Sequence, residues 1–347
     1  MCTNMRRVAG IVCLLAATAS ALHAKGLRLL LNPYDGVKWE QVTQHKANLH
    51  THTVASGGKL LLNQVFAEYA QRGYTILAIT DHDLCTQWQK ADINPMKEYG
   101  ILPVMGQEYS KGHHINGFFV NFETRASDSE LVLLEIVNHG GVAVINHPGR
   151  YWKPDADGRV PQGTRNEYLR LLNGNPLALG IEVINKNDRY PHDVLLWDAL
   201  LEVAMPARPV WGFANDDMHE RKQIGHSWET FLLDRLDSSE LRHAMLKGHF
   251  YFSSRGNDHD QDGFSEPPVI QSIVHDPVSQ TLTLSAAADG AVLDAEHYRW
   301  IANGQTIMVG PALKYNETEG VGRYVRAEIE SAGGKTYTNP FGFGQTE

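Results

Sequence analysis

The histidines and carboxylates of this 347-residue chain fall into a pattern that could hold metal ions. His50 and His52 form a His-x-His pair, and four other groups each follow a short apolar run: Thr80-Asp81-His82, Gly106-Gln107-Glu108, Asn146-His147-Pro148 and Asn215-Asp216-Asp217-Met218-His219. Imidazole mixed with carboxylate suits zinc, manganese or iron better than magnesium or calcium, which prefer oxygen alone. Alternation along an extended segment turns His50 and His52 the same way, so both rings can reach one cation. Each group taken singly is ordinary: His-x-His pairs occur by chance, and an Asp at a strand end often serves a turn. Five of them in the same structural position make a site. So many ligands imply more than one ion, with Glu108 as the natural bridge, and paired ions activate water while clamping an attacked phosphoryl group.

The elements that must position these groups show a βα rhythm between about Val42 and Ser254. Ile76-Leu77-Ala78-Ile79, Leu102 to Met105, Val142-Ala143-Val144-Ile145, Ile181-Glu182-Val183-Ile184 and Val210-Trp211-Gly212-Phe213 read as strands buried on both faces. Helices are predicted over Asn63 to Arg72, Ser129 to His139 and Ser238 to Lys247, each stopped by a glycine suited to a left-handed cap: Gly73, Gly140 and Gly248. In a barrel of parallel strands the strand ends share one face, where active sites are built. From about Pro267 the texture changes to alternating segments separated by turn pairs such as Asp289-Gly290 and Asn303-Gly304. That predicts hairpins, and residues 265–347 read as a small β-sandwich-like domain.

The first residues differ again. Arg6 and Arg7, an apolar run of about 14 residues and then small residues have the order of a signal peptide over residues 1–24, too short to span a bilayer. Export to a periplasmic or secreted location, with no integral membrane segment after cleavage, is the expectation. Cys85 would be the one thiol left, so no internal disulfide could form. Without the leader, 29 basic residues face 40 acidic ones, a net charge of about −11. That balance argues against nucleic acid or anionic membranes as partners.

Read in order, Leu49-His50-Thr51-His52-Thr53, Ile79-Thr80-Asp81-His82, Gly106-Gln107-Glu108, Asn146-His147-Pro148-Gly149 and Asp217-Met218-His219 resemble the successive motifs of the PHP (polymerase and histidinol phosphatase) superfamily of metal-dependent phosphoesterases. The resemblance covers about residues 45 to 255. It implies an α/β fold, a distorted (β/α)7 barrel over residues 25–264 with two or three divalent cations at its mouth. His50, His52, Glu108 and Asp217 would hold the first ion, and Glu108 would bridge to a second completed by His147 and by His113 or His114. His114 is preferred because it directly precedes the apolar segment from Ile115 to Phe119. A third site would use His82, His219 and a residue five positions after the second histidine of the first motif. Here that position is Gly57, so a third ion would be weakly held, held through water or absent. His82 and His219 would otherwise serve as proton donors or bind an oxyanion. The leader and the β-rich tail depart from the cytosolic phosphatases of the superfamily.

The expected activity is attack of a metal-bound hydroxide on a small-molecule phosphomonoester or phosphodiester, with Glu108, His82 and His219 catalytic. Arg255 and Arg150 are candidate phosphate clamps. A carboxylester, carbamate or amide hydrolase on the same ions is the first alternative, and a non-catalytic, metal-containing surface-binding protein the second.

Overall fold

The computed structural model describes residues 26–124, 126–255 and 265–345, so the expected leader with Cys2 and Cys13 lies outside the described residues. In chain order come β1 (Leu27–Leu31), β2 (Thr43–Asn48), helix α1 (Leu62–Gln71), β3 (Ile76–Ile79), α2 (Pro95–Tyr99), β4 (Leu102–Tyr109) and β5 (Ile115–Phe118). Then follow α3 (Ser129–Asn138), β6 (Val142–Ile145), α4 (Gln162–Gly174), β7 (Ala178–Asn185), α5 (Asp193–Ala204), β8 (Trp211–Asn215), β9 (Ser227–Leu233), α6 (Ser238–Lys247) and β10 (Phe250–Arg255). The β-rich remainder holds β11 (Val269–Asp276), β12 (Thr281–Ala288), β13 (Ala291–Val292), β14 (Tyr298–Ala302), β15 (Gln305–Val309), β16 (Ala312–Lys314), β17 (Tyr324–Ser331), β18 (Gly334–Thr338) and β19 (Phe341–Gln345).

The apolar runs become strands because both their faces are covered. Every residue of β3, β6 and β7 is buried, the condition under which a strand loses its polar alternation. Asp128 caps α3 by accepting the backbone N–H groups of Glu130 and Leu131, and Asp237 caps α6 in the same way through Ser239 and Glu240. Gly73, Gly140 and Gly248 all take positive φ at the ends of α1, α3 and α6, as their sequence positions predict.

The hydrogen-bond ladders trace one mixed sheet, in the order β1-β19-β17-β18-β10-β9-β2-β3-β4-β5-β6-β7-β8, rather than a closed ring of parallel strands. β2–β3, β3–β4, β6–β7 and β7–β8 are parallel, while β4–β5 and β5–β6 are antiparallel. Among the described residues no ladder joins β8 to β2. Their extensions meet through a bridge between Thr51 and Met218, where the His52 N–H donates to the Met218 carbonyl at 2.9 Å.

The C-terminal strands split between two sheets. β11, β12, β13 and β16 form a separate one, whose Ile270, Leu282 and Leu284 pack on Trp300, Val325 and Phe341 from the large sheet. This is a sandwich-like layer, but one of its two sheets continues into the site-bearing half: β18 pairs with β10 from Tyr251–Thr338 to Arg255–Gly334. β1, which precedes every site residue in sequence, pairs with β19 and packs with this part. A second tie is buried. Arg326 on β17 makes a two-pronged ion pair with Asp198 on α5, at 2.8 Å for each prong, and the Tyr324 hydroxyl donates to the same carboxylate at 2.7 Å.

Candidate metal centre

The segment that carries His50 and His52 is tied at nearly every backbone group. The Leu49 N–H donates to Asn215 Oδ1 at 2.6 Å, and its carbonyl accepts from Asn116 Nδ2 at 3.0 Å. The Thr51 N–H donates to Thr80 Oγ1, and the Thr53 N–H and hydroxyl both donate to Asp81. Asp81 also accepts from the hydroxyls of Ser56 and Thr86, which makes this strand-end carboxylate an organiser of the loop rather than a member of the cluster. Gly58 sits so close behind this segment that a Cβ there would lie 2.4 Å from the His52 carbonyl oxygen.

Around Glu108, in the middle of the mouth, the expected ligands converge. Its Oε1 faces His50 Nε2 at 3.3 Å, His114 Nδ1 at 2.8 Å and His147 Nε2 at 3.2 Å, and accepts from Asn146 Nδ2 at 3.0 Å. Its Oε2 faces His52 Nε2 at 3.3 Å and His82 Nδ1 at 2.9 Å. Asp217 Oδ1 closes the other side, 3.2 Å from His52 Nε2, 3.6 Å from His50 Nε2 and 3.4 Å from His219 Nδ1. Glu108, His50 and His52 are fully buried, whereas the His82 and His219 side chains are each 29% exposed and look outward. His147 and Asp217 hold positive φ, as do Lys186 and Asp83 beside them. Backbone strain of this kind, costing roughly 1–3 kcal/mol per residue, persists where the surroundings force it and gathers at functional sites.

The chemistry of the donor set fits divalent cations. His50 Nε2, His52 Nε2, His82 Nδ1 and Glu108 Oε2 are buried without a hydrogen-bond partner, a costly arrangement in a protein interior unless something else satisfies them. Four groups of three ligand atoms lie close enough to share an ion: His50 with Glu108 and His147, His50 with His52 and Asp217, His82 with Glu108 and His114, and His52 with His82 and His219. Burial works against every charge here, yet the imidazoles of His50, His114 and His147 hold Glu108 well below the usual carboxylate range, and His50 and His52 do the same for Asp217. Burial pushes His52 down to about 4. For His50 the surrounding carboxylates of Glu108, Asp217 and Glu182 outweigh burial and raise it well above the ordinary value. Two ionised carboxylates therefore draw positive charge to this point, which a divalent ion supplies.

The histidine pair resolves by geometry. His114 reaches Glu108 because the β4–β5 hairpin folds it back onto β4, while His113 points away to Glu167 at 3.0 Å. Gly57, in the position discussed for a third ion, lies beside His219, with a Cβ there 3.9 Å from the ring. The two arginines are not brought to the cluster. Arg255 pairs with Glu266 and lies over the Trp228 ring, and Arg150 is exposed over Tyr151. Among the described residues neither arginine pairs with a carboxylate of the cluster.

Sequence reading missed two residues. Lys186 Nζ stands 3.2 Å from Asp217 Oδ2, and Glu182 Oε1 faces His50 Nδ1 at 3.1 Å while its Oε2 accepts the His147 N–H at 3.0 Å. The available signal was a carboxylate inside the otherwise apolar run Ile181 to Ile184, which a fully buried strand does not carry without a partner.

No protein-family model matches the sequence, and no curated protein matches it. Solved structures do. A two-domain protein from Bacteroides vulgatus containing a predicted PHP-like metal-dependent phosphoesterase is 15% identical, with 87% of this chain and 96% of that one covered and a TM-score of 0.47. An amidohydrolase from Chromobacterium violaceum with bound sulfate and no metal is 17% identical over 58% of this chain and 96% of that one, TM-score 0.41. The lesion-specific endonuclease PfuEndoQ from Pyrococcus furiosus is 14% identical over 59% of this chain and 56% of that one, TM-score 0.39.

Proposed function

We propose that this protein is a metal-dependent phosphoesterase that hydrolyses a small-molecule phosphoester at the Glu108 centre, in line with the motif order from His50 to His219. The observation that carries the reading is the convergence of imidazole nitrogens on both oxygens of one buried carboxylate, with three of those nitrogens otherwise unpartnered. His50, His52, Glu108, His114, His147 and Asp217 would hold two cations, with room for a third at His82 and His219. When bound, such ions supply Lewis acidity toward a phosphoryl oxygen and lower the pKa of water.

The protein's own groups do the rest. Glu182 fixes the ring of His50 through Nδ1 and the backbone of His147, so both ligands are oriented before any ion arrives. Lys186 and Asn185 hold Asp217 from its second oxygen. Hydrolysis needs one proton taken from water and one delivered to the leaving oxygen. His82 and His219 are the ring pair open to solvent at the centre, and we assign proton transfer to them. Export is part of this reading and rests on the leader sequence alone.

The test is metal content by elemental analysis together with hydrolysis of p-nitrophenyl phosphate, bis-p-nitrophenyl phosphate and p-nitrophenyl acetate by wild type and Glu108→Ala. Two or more ions per chain and phosphoester turnover that falls to background in the variant are expected. Turnover of the acetate alone would replace the phosphoesterase by an acyl hydrolase. A metal-free protein would overturn the centre itself.

A further inference from the structure

On the His147 side three cations stand near the rim of the centre in a chain of formal charge −9. The Tyr190 ring lies 6.2 Å from the His147 ring, and two cations stand over that one tyrosine: Lys153 Nζ at 5.8 Å and Arg189 Cζ at 5.3 Å from its centroid. Arg150 stands 5.9 Å from the centroid of Tyr151, whose ring is 6.2 Å from that of His114. Among the described residues none of Arg150, Lys153 and Arg189 has a carboxylate partner, and Lys153 Nζ has only a long hydrogen bond, 3.4 Å, to the Gly149 carbonyl. Elsewhere about half of the described cations have such a partner, as in Lys59–Glu220, Arg72–Glu68, Arg221–Glu68 and Arg235–Glu240, so what sets these three apart is their place beside the centre.

Two like charges near one half-buried ring repel each other, and attraction to the ring is a weak compensation. Neither Asp193 nor Asp188 relieves them. Asp193 is buried and occupied by the Gly149 N–H and the Trp152 indole, and Asp188 forms no ion pair among the described residues. An arrangement of this kind is complete when an anion enters it: guanidinium takes a carboxylate or phosphate through two parallel hydrogen bonds, ammonium as a point charge.

We propose that Lys153 and Arg189, seated on Tyr190, form a subsite for a second anionic group of the substrate. This rests on the phosphoesterase reading and narrows it. The substrate class is a phosphoester whose leaving group carries a further carboxylate or phosphate about one ring's width from the reacting bond, with a flat or apolar spacer lying along Tyr190. The net negative charge is an average over the whole chain and does not describe this rim.

The experiment measures binding without turnover. Phenylphosphonate and 4-carboxyphenylphosphonate, which share a reacting group and differ in the distal anion, are titrated calorimetrically into the full chain with Mn²⁺. We compare wild type, Lys153→Ala/Arg189→Ala and the charge-conserving Lys153→Arg/Arg189→Lys. The expected result is at least tenfold tighter binding of the carboxylated probe by wild type, a ratio that falls with salt, drops below threefold in the alanine pair and is kept by the charge-conserving pair. A ratio near one in wild type, or one unchanged in the alanine pair, would overturn the subsite. So would tight, salt-sensitive binding of a single-stranded oligonucleotide with no preference between the small probes, since that makes the rim a polyanion surface. Failure of the parent reading is seen separately: no turnover of phenyl phosphate with the binding ratio intact removes the reaction and leaves the subsite.

Discussion

Glu108 illustrates how a single side chain organises this protein, because it is fully buried and each of its oxygens faces at least two imidazoles. Residues one step behind it should matter almost as much. Glu182→Gln keeps the shape of the buried side chain but weakens its hold on the His50 ring, so retention of metal should fall roughly 10–100-fold. Competition against a chromogenic chelator measures this, and unchanged retention would remove Glu182 from the supporting set. Asp193 makes a different prediction, one of pH. Burial pushes its carboxyl up to about 7 while it accepts from Gly149 and Trp152. With the folded value above the unfolded one of about 3.9, the native state takes up a proton that the unfolded chain does not hold. Its contribution to stability is therefore complete below about pH 4 and is lost as the pH rises through about 7. Urea titrations from pH 4 to 8 in chelator should show that decline in wild type and a flatter profile in Asp193→Asn.

Among the elements, the β4–β5 hairpin does what the parallel strands alone could not, turning the chain so that His114 meets Glu108. The helices supply walls and anchors. α5 is held at one end by Asp193 under the Gly149 turn and in its middle by the Asp198–Arg326 pair. Removing one partner of a buried ion pair strands the other, so Arg326→Met should cost about 3–5 kcal/mol, while Asp198→Leu with Arg326→Met should recover most of that loss. Denaturation midpoints decide between this and a pair of no consequence, for which the single variant would behave like wild type.

For the whole molecule, the β10–β18 ladder and the Arg326 tie make the site-bearing half and the β-rich part share one sheet and one buried ion pair. The full chain is expected to unfold in a single calorimetric transition. Two resolved transitions, or a cooperative transition in a chain ending at residue 264, would show that the halves fold independently. No described helix is long and apolar enough to cross a membrane.

How much of this was legible beforehand follows from the range of the forces involved. Strand runs, helix stops at Gly73, Gly140 and Gly248, the change of texture near Pro267 and the ligand set from His50 to His219 are local facts, because burial on both faces, backbone conformation and donor chemistry are properties of a few consecutive residues. The mixed pairing of the sheet, the pairing of β1 with β19, the choice of His114 over His113 and the support of His50 by Glu182 were decided by tertiary structure. Each depends on which distant segment arrives opposite, as does the seating of Arg255 over Trp228 and of Lys153 and Arg189 near Tyr190. A cation in sequence has no partner until the fold provides one, and here the fold provides an aromatic ring and, for Lys153, the Gly149 carbonyl, but no carboxylate among the described residues.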